Sequence, residues 1–103
     1  LVPWYFYLLE FLSGAFLANG VPHFVHGISG ARFQTPFAKP PGVGESSPLV
    51  NALWGFGNLV AGLVLLHCFW PVGALGWVVE GAGALGISVQ LALHFGKVRA
   101  GRS

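Results

Sequence analysis

Glu10 and Glu80 are two of only three acidic side chains in a chain of 103 residues, and both fall within apolar runs. Each sits about 10 Å in from the start of its run, at 1.5 Å of helical rise per residue. A carboxylate at bilayer depth costs about 2.5–3.5 kcal/mol on insertion scales, so each needs a partner, a proton or a wet pocket. If the two meet on neighbouring helices, like charges raise at least one pKa and the pair could hold one proton, which is the chemistry of a proton or cation site. The structural alternative is a protonated carboxyl bonded to Asn58 or to a backbone carbonyl, as polar glue between helices.

The histidines form a second set. His23 and His26 make an H-x-x-H step at the end of the first apolar run, and His94 closes the third at about the same depth. Three imidazoles could hold zinc, iron or a haem edge. Zinc sites usually add Cys or a carboxylate, and His94 also suits the negative end of a helix dipole. His67 could ligate a pigment or haem, on weaker grounds. Cys68 is the only cysteine, so no disulfide staples the chain. There is no nucleophile elbow, phosphate loop or H-E-x-x-H motif, so an enzyme is not expected.

These residues need helices to position them. The chain is 54% hydrophobic and 8% charged, against about 25% charged in soluble domains. A soluble chain this short could not hide so much apolar surface, and disorder requires the opposite composition. Nucleic-acid binding is excluded too, because five basic residues over two segments make no basic stripe. One integral membrane domain remains. A spanning helix takes roughly 20 apolar residues, and three candidates fit, at about 4–21, 48–69 and 73–95. The first could run another turn past Pro22. Ser46 or Ser47 can cap the second, with Pro48 in its first turn. The first run has no basic segment before it and no A-x-A site after it, so it reads as a helix, not a signal peptide.

Polar and small residues mark one face of each helix. On the third, Gly76, Glu80, Gly83, Ile87, Gln90 and His94 fall within roughly an 80° arc at 100° per residue. On the second, the face is Asn51, Gly55, Asn58 and Gly62. On the first, Tyr7, Ser13, Gly14 and Leu17 flank Glu10. Small residues let helix backbones approach, and Asn or Gln bonds across. The tight link around Trp70 and Pro71 predicts that the second and third helices pack as an antiparallel pair.

The connection at 27–47 holds Pro36, Pro40 and Pro41 and several glycines, so it is not helical. Phe33 and Phe37 predict an ordered loop on the headgroup region. Arg32, Lys39, Lys97, Arg99 and Arg102 all fall on the side of this loop and the C-terminus. Basic residues stay cytoplasmic, which predicts the N-terminus outside and the C-terminus inside. Trp4, Tyr5, Trp70 and Trp77 then mark the outer interface and Trp54 the inner one.

The stretches ANGVPHF at 18–24, TPFAKPPGVGESSP at 35–48 and NALWG at 51–55 resemble a pattern of small, uncharacterised bacterial inner-membrane proteins. The resemblance covers about half the chain. It implies a multi-pass protein of the bacterial inner membrane and brings no activity with it. It points to the loop, with Asn19, His23 and Asn51 near its ends, as the specialised part.

The leading functional expectation is a small accessory subunit packed against a larger membrane complex, with a respiratory or photosynthetic host. A homo-oligomeric proton- or cation-coupled carrier using Glu10 and Glu80 is the alternative. A metal- or haem-binding membrane protein using His23, His26 and His94 is the third. No cofactor is required by the sequence, while lipid or pigment contacts fit its composition.

Overall fold

A computed structural model describes residues 2–101. In chain order its elements are α1 (Trp4–Ile28), β1 (Phe33–Gln34), β2 (Glu45–Ser46), α2 (Pro48–Cys68) and α3 (Gly73–Ala100). The fold is all-α apart from the two short strands, and each helix is long and apolar enough to cross a membrane. Helices satisfy their own backbone groups, which lipid cannot do for them. Of the five basic residues, Arg102 lies outside the described residues.

The helix ends follow from local chemistry. The Ser47 side chain accepts from the Val50 amide, and Pro48 opens the first turn of α2. α1 runs through Pro22 to Ile28, past the expected end near Val21. Proline removes one amide donor, and the helix resumes beyond it with the His26 ring bonded to the Pro22 carbonyl at 2.7 Å. α3 continues past Phe95 to Ala100. Lys97 and Arg99 in its last turn suit the negative end of the helix dipole.

The packing order differs from the expectation. α1 lies between α2 and α3, packing closely on both, while α2 and α3 hardly touch. The predicted α2–α3 pair is therefore corrected. A short link fixes where two helix ends lie, not which faces bury. The small-residue faces of both α2 and α3 find their complement on α1. A Cβ on Gly55 would strike the backbone of Phe24, and one on Gly27 the backbone of Ala52. On the other side, a Cβ on Gly83 would strike the Phe11 carbonyl, and one on Gly14 the Glu80 carbonyl. Only glycine allows backbones this close.

The interior is small and polar, and the exterior is apolar. Buried positions are Glu10, Ser13, Gly14, Gly20, His23 and Gly27 on α1; Asn51, Gly55, Asn58 and Gly62 on α2; and Gly76, Glu80 and Gly83 on α3. Phe33 is the one large hydrophobic side chain buried among the described residues. In water such an arrangement would leave no hydrophobic driving force; in lipid, close packing and hydrogen bonds hold helices together.

The loop is ordered and folds back on itself. β1 and β2 pair antiparallel, Phe33 opposite Ser46 and Gln34 opposite Glu45. The Thr35 and Ser46 hydroxyls bond to each other. Gly42, at φ 74°, turns the chain so that its amide reaches the Thr35 carbonyl at 3.0 Å. Phe33 plugs this hairpin into the helices. Its ring stacks on His26 at 4.1 Å, meets Phe95 edge-on at 4.8 Å, and carries the Arg99 guanidinium 5.7 Å from its centre.

Candidate ligand cleft at the loop end

Asn51 organises the loop end. It stands in the first turn of α2 and is fully buried. Its side-chain nitrogen faces the carbonyls of Phe33, Ser46 and Ser47 at 3.1, 3.2 and 3.1 Å. Carbonyls only accept, so this atom is the NH₂ group, its two protons shared among three oxygens. The Asn51 oxygen then faces His23 Nδ1, at 3.0 Å. That oxygen cannot donate, so His23 Nδ1 carries the proton. In the neutral ring Nε2 is left with its lone pair.

His94 is fixed in the same way. Its Nε2 lies 2.7 Å from the Gly42 carbonyl and donates to it, tying α3 to the loop. His26 is engaged with Pro22 and stacked on Phe33. The three imidazoles thus serve three separate bonds. Among the described residues, no three His, Cys, Asp or Glu side chains gather where a metal could sit. The shared His23, His26 and His94 centre considered from the sequence is therefore not formed.

Between these anchors lies a cleft of ≈ 220 Å³. Asn19 and His23 come to it from α1, Gln34 from the hairpin, Trp54 from α2, and Gln90 and His94 from α3. Gln90 is exposed at its edge. Gln34 is 0% exposed, yet neither its side-chain oxygen nor its nitrogen has a hydrogen-bond partner within the protein. The buried indole nitrogen of Trp54 has none either. Leaving such a group unpaired costs about 1–3 kcal/mol each, so a fold that does so twice at one cleft needs a reason.

Trp54 also walls the cleft. Its ring meets Phe37 at 4.8 Å and His23 at 6.4 Å, and the site has an aromatic wall. Gln34 is not marked by the sequence, and Trp54 is marked there only as an interfacial aromatic. One signal was available for Trp54, which follows Asn51 by three residues and shares its helix face. Gln34 gave none, because a two-residue strand is too short to show a period.

Glu10 and Glu80 are both buried on the facing sides of α1 and α3, where the Glu80 backbone lies against Gly14. They are 1% and 8% exposed. Ser13 Oγ lies 2.8 Å from Glu80 Oε2 and 2.8 Å from the Gly62 carbonyl. A hydroxyl has one proton, and a carbonyl has none to give. Both contacts hold at once when Glu80 is a carboxylic acid. Ser13 then joins all three helices. Asn58 is not the partner of either glutamate. It bonds Asn19 at 3.0 Å and its own helix at Trp54 O, 2.8 Å.

Comparison of the chain with protein-family models, with curated proteins and with solved structures gives no match.

Proposed function

We propose that the chain is a small ligand-binding protein of the bacterial inner membrane, holding a small neutral molecule in the cleft at its loop end. The carrying observation is the Gln34 amide, wholly buried with both polar atoms free of any protein partner. Pockets with a few convergent polar groups on apolar walls are the usual form of small-molecule sites. Asn51 supports the reading, because it fixes the hairpin and His23 together and so shapes the cleft in advance of any ligand. Four described basic residues on the loop and the end of α3 favour a cytoplasmic loop end. The test is native mass spectrometry of the protein released from its own membranes. A single small adduct on the wild type that is absent from Gln34→Leu supports the reading. Equal masses for the two apoproteins, after allowing for the substitution, with no adduct on either, count against it.

A second reading is the accessory subunit. It is favoured by α3, which turns most of its surface outward, with Gly81 and Gly96 open to close approach by another helix. A stoichiometric larger partner in mild detergent supports it, and copies of this chain alone oppose it. The two readings are compatible. The carrier reading has less support: Glu10 Oε1 and Glu80 Oε1 are also buried without a protein partner, but Ser13 engages Glu80 Oε2 and neither glutamate lines the cleft.

A further inference from the structure

The cleft does not end at its polar groups. At Asn19 and Trp54 it adjoins a second hollow of ≈ 270 Å³. Leu12, Ala15, Phe16 and Ile87 line this one, with Asn58 beside them. From Asn19 to Leu12 it follows α1 away from the loop end for about 10 Å of helical rise, toward the middle of the span. A chamber with convergent polar groups at the loop end thus shares Asn19 and Trp54 with an apolar groove along the helices. Together the two reach the size of small-molecule sites, roughly 300–1,000 Å³.

The ligand class follows from what the walls offer. No Asp, Glu, Lys or Arg lines either hollow, so the head of the ligand is neutral. The Trp54 indole is a donor only and needs an acceptor. The Gln34 amide offers a donor and an acceptor, and His23 Nε2 offers a lone pair. A head carrying carbonyl oxygens meets the two N–H groups, and one carrying hydroxyls meets Gln34 Oε1 and His23 Nε2. Trp54 and Phe95 give the chamber aromatic walls, which suit a flat ring. The groove takes a hydrocarbon tail.

Resting on the reading of the cleft as a ligand site, we infer that its occupant is a membrane quinone or its quinol, ring in the polar chamber and isoprenoid tail along Phe16 and Ile87. The ring's oxygens supply acceptors when oxidised and donors when reduced, and the chamber presents partners for both. A charged phospholipid headgroup would be left without a counter-charge there. A neutral diacylglycerol shares the carbonyls and the tail but not the flat ring.

The experiment uses the full chain in lipid nanodiscs, with Trp4, Trp70 and Trp77 replaced by Phe so that Trp54 alone fluoresces. It is titrated with a 1,4-benzoquinone and a 1,4-naphthoquinone, each bearing one isoprene unit, with their tail-less parents, and with a short-chain diacylglycerol. The expected result is saturable quenching at one quinone per chain, weakened about tenfold or more in Gln34→Leu, since a site built to hydrogen-bond its ligand suffers when a partner is removed. Ile87→Trp, with its added indole replaced in the fluorescence assay by calorimetric readout, fills the groove. It should weaken the tailed quinones and spare the tail-less ones, which keeps the test decisive even if Gln34→Leu does not fold. Binding of diacylglycerol with no saturable quinone binding overturns the quinone assignment and leaves the cleft as a ligand site. No binding of any probe, together with no adduct on protein taken from native membranes, overturns both.

Discussion

His23 Nδ1 lies 3.0 Å from the side-chain oxygen of Asn51, and the proton in that contact belongs to the histidine. One bond thereby links the middle helix, the start of α2 and, through the three carbonyls held by the same Asn51, the hairpin that covers the cleft.

Asn51→Leu should release that hairpin. The substitution keeps the size and removes both halves of the amide, taking a donor from the Phe33 and Ser46 carbonyls and the acceptor from His23 Nδ1, while the Ser47 carbonyl keeps the Asn51 backbone amide. Each exposed deficit costs about 1–3 kcal/mol. Hydrogen exchange should show faster exchange over 33–46, and thermal melting should fall. Unchanged protection of the hairpin would mean that Phe33 and the His94–Gly42 bond hold it without Asn51.

Glu80→Gln should be tolerated within about 1 kcal/mol, because the amide can still donate to Ser13. Ser13→Ala should cost more, about 1–2 kcal/mol, since it leaves the Gly62 carbonyl and Glu80 without their bridge. Unfolding in mixed micelles measures both. Proteoliposomes should show only background proton uptake for the wild type and the Gln variants at 10 and 80. A proton-dependent flux lost in both variants would restore the carrier reading.

Gly83→Val and Gly57→Ala should behave oppositely. A side chain at Gly83 meets the Phe11 carbonyl, so the α1–α3 contact must open, at about 1–3 kcal/mol or more. Nothing lies within 4 Å of a Cβ at Gly57, and alanine there should be neutral or mildly stabilising. Equal effects on unfolding would contradict the close packing around α1.

The topology prediction rests on the five basic residues of the sequence, all in the loop or at the C-terminal end. A C-terminal reporter should give a cytoplasmic signal, and a probe in the Trp70 turn an external one. The reverse result would place the cleft on the outer face.

Three helices were legible because runs of apolar residues of membrane-spanning length have few other uses. The face of α2 was legible as well: Asn51, Gly55, Asn58 and Gly62 recur at helical spacing, and they are its four buried residues. The central place of α1 was hidden. The Trp70–Pro71 link advertises a neighbour for α2 in the chain, whereas glycine-to-backbone fit chooses the neighbour in space. The histidines were visible as chemistry, but their bonds to Asn51, Pro22 and Gly42 depend on how the loop folds. Gln34 was invisible for the same reason: an amide in a Pro- and Gly-rich loop looks solvated until Phe33 beside it is seen to plug the bundle.

If the cleft holds a ligand, Gln34 and Trp54 complete their hydrogen bonds with it. Side-chain nuclear magnetic resonance of the ¹⁵N-labelled protein tests it directly, comparing protein in nanodiscs of native lipid with the same protein after exhaustive delipidation into synthetic lipid. The Gln34 amide and the Trp54 indole N–H should shift between the two by more than the exposed indoles of Trp4, Trp70 and Trp77, which report the change of lipid alone. Identical Gln34 and Trp54 resonances in both preparations, with fast exchange against solvent, would mean that the cleft holds water alone and would contradict the account.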